Sequence, residues 1–204
     1  MKKCIIIFLS IPSLLFAQNK DNEVIVIKSD KQIEEFTSSL GQNELRLDFL
    51  DLLVFPALSV GFEKINDSSS GYGATLFLNL GGEDTIGEVY NDKFALTPYY
   101  RFYFLKSEDY GGYGLFAEIF TKFSFGKYEK FNDFWGQNQN NETLNYYDIA
   151  PGLALGRKWI NRKGFTFELL FGVGRNLLYK SKDDDSISRT AGIVRAGISV
   201  GKRF

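Results

Sequence analysis

The chain has 204 residues and a net charge of −1, so it is long enough for one domain and has no basic excess for binding nucleic acid. It contains no His, the residue that most often serves as a general base or a metal ligand. With 20 Phe, 11 Tyr and 20 Gly, the composition favours many strands joined by tight turns, and nothing in it indicates an enzyme.

Residues 1–17 have the layout of a secretory signal peptide. Two lysines precede an apolar run from Ile5 to Phe16, and the small residue Ala17 marks a cleavage position. The run is shorter than the ~20 residues that a membrane-spanning helix needs. Cleavage would remove Cys4, which leaves a mature chain without disulfides or thiol chemistry.

Residues 18–42 are more polar than the rest of the chain, and we expect a periplasmic linker or a short helix there. Ser29 and Gln32 are spaced as a capping box, and apolar residues follow at helical spacing as far as Gly41. We therefore expect the folded domain to occupy residues 43–204.

From residue 43 onward, apolar and polar residues alternate with a period of two, which predicts strands with one apolar and one polar face. The predicted strands cover residues 44–53, 57–65, 72–80, 94–104, 113–125, 145–156, 165–175 and 189–204. The first pattern breaks at Asp51, where we expect a bulge or a position above the apolar zone, and the longest irregular stretch is 126–143. An even strand number is typical of single-chain bacterial barrels, so we predict an all-β, eight-stranded antiparallel up-and-down transmembrane β-barrel.

The polar faces of the predicted strands carry charged residues of both signs. Eight strands enclose a space that side chains just fill, so we expect these groups to pair in the interior rather than to line an open pore. The predicted interior charge network comprises Arg46, Asp48, Glu63, Arg101, Glu118, Asp148, Glu168, Arg175 and Arg195. We expect no catalytic residue, cofactor or metal ion in it.

Aromatic residues fall at the ends of the predicted strands, as in the two aromatic girdles of membrane barrels. At the periplasmic end these are Phe104, Tyr113, Trp159, Phe165 and Phe204. At the outer end they are Phe94, Phe123, Tyr147 and Tyr179.

The 126–143 stretch combines rigid aromatic residues with Asn and Gln, a mixture that is typical of binding loops. The candidate binding residues are Tyr128, Phe131, Phe134 and Trp135. Alternatively, this loop folds over the barrel mouth or lies at the membrane interface.

The last strand ends on a C-terminal Phe, as the closing strands of bacterial outer-membrane barrels do, although Lys202 stands where an apolar residue is usual. Together with the signal peptide and the alternating strands, this resembles the OmpA/OmpX-type small outer-membrane barrels over residues 43–204. The opening NELRLDFLDLLVFPALSVGFEKI is also similar to a family of uncharacterised outer-membrane proteins. These resemblances imply contact with outer-membrane lipid and lipopolysaccharide, and delivery by the barrel-assembly machinery through the C-terminal strand.

We therefore expect a non-enzymatic outer-membrane protein that displays surface loops and supports envelope integrity. One alternative is a surface adhesin or ligand receptor that acts through residues 126–143. Another is a narrow channel for small solutes, whose conductance would disappear when Arg101 or Glu118 is neutralised. A third is a secreted lipocalin-like barrel, which would bury its apolar face and remain in solution without detergent.

Overall fold

A computed structural model describes residues 40–54, 56–81, 92–104, 111–130, 142–178 and 191–204. The signal peptide predicted at 1–17 lies outside the described residues, as does the linker or helix predicted at 18–42 except for its last three residues. Those two assignments stay predictions.

Eight strands and one short helix make up the described chain, in the order β1, α1, β2 to β8. Their bounds are β1 Asn43–Asp48, α1 Phe49–Val54, β2 Ala57–Ile65, β3 Ser70–Asn79, β4 Asp92–Phe104, β5 Gly114–Lys130, β6 Glu142–Ile160, β7 Phe165–Arg175 and β8 Gly192–Arg203. Each strand pairs antiparallel with its neighbours in sequence, and β8 pairs with β1 to close the barrel. The prediction of an all-β, eight-stranded, closed up-and-down barrel is confirmed.

The two termini of the barrel meet at one end, which we call the near end; the opposite end is the far end. Asn43 and Phe204 exchange backbone hydrogen bonds there, with N···O distances of 3.2 and 2.9 Å. The Arg203 guanidinium donates to the carbonyl groups of Gly41 and Gly111, both at 2.8 Å. The last residues of the chain are therefore held by Gly41, by the first residue of β1 and by Gly111 before β5.

The first strand is shorter than predicted, because the chain turns into α1 instead of forming a bulge at Asp51. The Asp48 carboxylate caps this helix by accepting a hydrogen bond from the Leu50 backbone N–H at 2.9 Å. It also accepts from the Ile198 N–H of β8 at 3.3 Å, so the cap ties the helix to the neighbouring strand. Among the described residues, no helix is long and apolar enough to cross a membrane.

The two strands that most exceed their predicted lengths are β5 and β6. β5 continues to Lys130 and β6 begins at Glu142, so the irregular stretch predicted at 126–143 shrinks to the residues between these strands. The predicted turn after residue 156 is also wrong, because β6 remains paired with β5 and β7 and ends only at Ile160. Main-chain pairing extends both strands through polar residues that resemble turns in the sequence.

The barrel is apolar outside and charged inside. The outward side chains of Leu153, Phe171 and Val194 are 61 to 66% exposed, whereas Arg101 and Glu118 have no exposed area. This is the reverse of the distribution that a lipocalin-like barrel requires.

Inward glycines make room for the large interior side chains. A Cβ atom on Gly152 or Gly156 would come within 2.3 Å of the Phe120 or Phe116 ring. On β2, a Cβ on Gly61 would lie 2.8 Å from Nε of Arg46. Glycine at these positions lets a narrow barrel enclose aromatic rings and guanidinium groups.

Candidate functional site: a buried charge cluster

Arg101, on the inner face of β4, is the centre of the interior. Its Nε donates to Glu118 at 2.7 Å, and its Nη1 donates to Glu63 at 2.7 Å. Nη1 and Nη2 also hold the two oxygens of Glu168 at 2.7 and 2.8 Å, a bidentate pair across the barrel. One fully buried guanidinium therefore joins carboxylates from β2, β5 and β7.

Glu63 collects donors from several strands. It accepts hydrogen bonds from Arg101, from Arg46 at 2.8 Å, from Lys158 at 2.8 Å and from the Tyr103 hydroxyl. Because its exposed area is zero, only such a set of donors can offset the cost of taking the charge out of water.

The cluster contains equal numbers of positive and negative groups. Its anions are Glu44, Glu63, Glu118 and Glu168, and its cations are Arg46, Arg101, Lys158 and Arg195. The count is four against four, so we expect the cluster to be stable without an added ion. Each of these carboxylates has at least one cation within 4 Å.

Three of these carboxylates lie close enough together to suggest a metal site. Oxygen atoms of Glu44, Glu63 and Glu168 lie within 4.8 Å of one another. The Lys158 ammonium lies among them, at 3.1, 2.8 and 3.4 Å respectively. A lysine therefore supplies the positive charge that a cation would otherwise bring.

Aromatic rings enclose the guanidinium groups. The Arg101 guanidinium carbon lies 4.5 Å from the centre of the Tyr99 ring and 4.2 Å from that of Phe116. Arg195 lies 5.1 Å from the Phe120 ring centre. These cation–π contacts fill the interior while they stabilise its positive charges.

Six of the nine residues predicted for the charge network meet in this cluster: Arg46, Glu63, Arg101, Glu118, Glu168 and Arg195. Three do not. Asp48 caps α1, and Asp148, although buried, accepts from the backbone N–H groups of Ile149 and Leu178 at 2.8 and 3.1 Å.

Arg175 is the third residue outside the cluster. It is exposed on the outer face of β7, because it shares its side of the strand with Phe171 and Val173 rather than with Glu168. Counting in twos from Glu168 gives residues 170, 172 and 174, so the assignment of Arg175 to the interior was wrong.

Two charged members of the cluster, Glu44 and Lys158, are not in the predicted network. Both follow from the same period of two, since Glu44 shares its side of β1 with Arg46, and Lys158 shares its side of β6 with Asp148. Lys158 was missed because the Arg-Lys-Trp sequence resembles the start of a turn.

The aromatic residues predicted for the near-end girdle lie at strand ends, whereas two of those predicted for the far end do not. Phe104, Trp159, Phe165 and Phe204 lie at the near end, and Phe94 lies close to the far end of β4. Phe123 and Tyr147 lie within the lengthened strands β5 and β6, at the height of residues 94 to 96 of β4. Tyr113 immediately precedes β5 at the near end, and Tyr179 lies outside the described residues. Segregation is incomplete, because Tyr100 and Phe171 are outward between the two bands.

One residue of the predicted binding loop, Tyr128, lies within the described chain. Tyr128 belongs to β5, where its backbone is opposite Leu144 of β6. Phe131, Phe134 and Trp135 lie outside the described residues, so their role stays a prediction.

The chemistry available to the cluster is charge pairing. Its four carboxylates are buried, and each accepts a hydrogen bond from an arginine or from Lys158. The interior is therefore built as a filled, cross-linked lumen.

Comparisons with known proteins find no matching family model, no similar characterised protein and no similar solved structure. The likeness to OmpA/OmpX-type proteins thus extends to a small eight-stranded barrel and no further.

Proposed function

We propose that this protein is a non-enzymatic, integral outer-membrane β-barrel that displays surface loops and supports envelope integrity. The observation that carries the proposal is the inverted distribution of side chains, with apolar residues on the outside and a neutralised charge cluster within. In water such an outer surface would expose a large apolar patch, which is unfavourable. In the hydrocarbon of a membrane the same apolar surface is favourable.

The height of the apolar surface supports a bilayer location. Along β4, every outward residue from Phe94 to Phe104 is apolar or aromatic. Eleven residues at ~3.3 Å each, tilted by about 45°, span roughly 25 Å, which matches the apolar band of outer-membrane barrels. Under this proposal the near end faces the periplasm. The barrel-assembly machinery would recognise the closing strand there, at Phe204.

The filled lumen supports a structural role over transport. Arg101 joins three strands across the interior, so a solute would have to break several buried ion pairs to pass. We expect no conductance in planar bilayers. A current that disappears in Arg101→Met or Glu118→Gln would instead favour the narrow channel.

The location is tested by fractionating the envelope and comparing gel mobility with and without boiling. We expect the protein in the outer-membrane fraction, with a folded form that migrates faster until it is heated. Recovery in the soluble periplasmic fraction, folded without detergent, would contradict the proposal.

A second candidate function is the binding of a surface ligand, and the far end of the barrel favours it. β5 and β6 are 17 and 19 residues long, and beyond Gly126 and Asn145 they pair only with each other. The described part of this hairpin therefore projects past the wall at the far end.

Replacement of residues 131–141 by Asn-Gly tests the binding function. We expect cells that carry this variant to lose attachment to the surface that the wild-type protein binds. The variant barrel should keep its heat-modifiable gel mobility. The matched control replaces residues 82–91, a second far-end connection, in the same way. Equal loss of attachment in both variants would show that the β5–β6 hairpin has no special role.

A further inference from the structure

Five exposed cationic side chains lie on one side of the near end. They come from the outer faces of β2, β6 and β8 and from the turn between β6 and β7: Lys64, Arg157, Arg162, Lys163 and Lys202. Because the strands follow one another around the wall from β6 through β8 and β1 to β2, the five side chains occupy one continuous sector of the rim. We call this set the basic patch.

Hydrogen bonds hold the β6–β7 turn beside the end of β8. The Asn161 side chain accepts from the Lys163 backbone N–H at 2.9 Å, and the Gly164 carbonyl accepts from the Arg203 backbone N–H at 2.8 Å. The Lys202 ammonium donates to the Lys163 carbonyl and has two further N–H donors for another partner. The cations of the turn are therefore held next to the cation of the last strand.

Two cations of the basic patch lie over outward aromatic rings. The Arg157 guanidinium carbon is 5.0 Å from the Trp159 ring centre, and the Lys202 ammonium is 4.8 Å from the Phe165 ring centre. Aromatic rings at strand ends and long basic side chains that extend along apolar surface are both typical of a membrane–water interface. The basic patch therefore has the composition of a surface that meets lipid headgroups.

Few carboxylates oppose the basic patch. The glutamates of β1, β2 and β7 at this end are buried and paired with interior cations. Within the ranges that the structure describes, Lys64, Arg157 and Lys202 have no carboxylate at 4 Å or less. Counting Asp67 of the β2–β3 turn and the terminal carboxyl group of Phe204 against the five cations still leaves an excess of three positive charges.

We propose that the basic patch binds the phosphate groups of anionic phospholipid, such as phosphatidylglycerol, in preference to zwitterionic lipid. The inference rests on the bilayer location proposed above, which puts the near end in the leaflet that faces the periplasm. Phosphate oxygens accept hydrogen bonds, and guanidinium and ammonium groups supply donors of the opposite charge. A zwitterionic headgroup brings its own cation, so it gains less from the positive excess.

The wall beside the basic patch is suited to the acyl chains of the same lipid. Leu45 pairs with Lys202 and Leu169 pairs with Arg157 on neighbouring strands, and the two leucines are 48 and 40% exposed. Each cation therefore lies next to apolar surface, so one lipid molecule can contact both with its headgroup and its chains.

The test uses the full-length protein folded in vesicles of phosphatidylcholine and phosphatidylglycerol, with either lipid brominated on its acyl chains to quench tryptophan fluorescence. The chain has two tryptophans, so Trp135→Phe leaves Trp159, beside Arg157, as the reporter. At low ionic strength we expect phosphatidylglycerol to associate roughly fivefold more strongly than phosphatidylcholine, about the gain that one basic residue brings near an anionic surface. At about 1 M salt the preference should shrink, because the screening length falls to about 3 Å.

Paired variants in the Trp135→Phe background test the basic patch itself. Arg157→Gln combined with Lys202→Gln should reduce the preference for phosphatidylglycerol to less than about twofold. The matched control combines Lys127→Gln with Arg175→Gln, which removes the same charge at the far end and should leave the preference unchanged. Heat-modifiable gel mobility shows that each variant is folded.

The outcomes separate the basic patch from the bilayer location. Equal quenching of Trp159 by the two brominated lipids, or a preference that survives in the variant with Arg157→Gln and Lys202→Gln, would overturn the inference and leave the location intact. If neither brominated lipid quenched Trp159, the location would be contradicted and the inference would fall with it.

Discussion

Replacement of Arg101 by Met tests whether the charge cluster holds the barrel together. The guanidinium makes four hydrogen bonds to Glu63, Glu118 and Glu168, and it has no exposed area. Methionine fills a similar volume without a charge. The cluster would then contain three cations and four carboxylates. One buried carboxylate would therefore lack a cation to balance its charge.

The expected cost follows from the burial of that unmatched charge. Removing one partner of a buried ion pair typically lowers the free energy of unfolding by about 3–5 kcal/mol. Loss of the stacking between Arg101 and the rings of Tyr99 and Phe116 acts in the same direction. We therefore expect Arg101→Met to lower the free energy of unfolding by about 3–5 kcal/mol.

The assay is equilibrium unfolding in urea of the protein folded in detergent or lipid vesicles, followed by tryptophan fluorescence and by gel mobility. Arg175→Met is the matched control, because this arginine is exposed on the outer face, and it should change stability by less than about 0.5 kcal/mol. Adding Glu168→Gln to Arg101→Met restores three charges of each sign and should recover part of the loss. A loss below about 1 kcal/mol for Arg101→Met would refute the reasoning.

Further predictions concern close packing and the near end. Gly156→Ala places a methyl group 2.3 Å from the buried Phe116 ring and should lower the free energy of unfolding, measured in urea, by about 1–3 kcal/mol. Adding Phe116→Leu should restore part of this stability. Gly41→Ala should loosen closure and raise hydrogen exchange in β1, because Gly41 has a φ of 70° and its Cβ would lie 2.2 Å from the C-terminal backbone. The Asp67 carboxylate accepts hydrogen bonds from the Ser70 hydroxyl and from the Ser69 backbone N–H, and these bonds hold the pKa of Asp67 below its ordinary value of 3.8. Asp67→Ala should therefore destabilise the barrel at neutral pH, and the difference should vanish as the pH falls through that lowered pKa.

The fold could be predicted because alternation is a direct consequence of the pleat. Once Phe102 and Phe104 are placed outside, Arg101 and Tyr103 must be inside, whatever the rest of the barrel does. The apolar outside and the charged inside were therefore readable from single segments, and their antiparallel order followed from the short turns at the near end.

The ends of elements could not be predicted from alternation alone. Asp48 is a favourable N-cap residue, the local signal for α1, but it lies in an otherwise alternating stretch. The contact from Asp48 to Ile198, which fixes the helix against β8, joins residues 150 positions apart.

The pairing within the cluster depends on register, which no single segment specifies. Arg101 and Glu168 are 67 residues apart and meet because strands on opposite sides of the barrel present them at the same height. The sequence shows that both groups are inward, whereas the bidentate contact depends on the pairing of every strand between them.

The central claim is that the apolar outer surface faces hydrocarbon, and paired substitutions test it most directly. Leu153 and Leu177 are 63 and 60% exposed, but Leu153 lies midway along the wall, whereas Leu177 follows the far end of β7. In lipid vesicles, Leu153→Arg should lower the free energy of unfolding by about 2–4 kcal/mol and Leu177→Arg by no more than about 1 kcal/mol. Equal and negligible losses for the two variants would contradict a membrane location, since two exposed leucines of a protein in water would tolerate arginine alike.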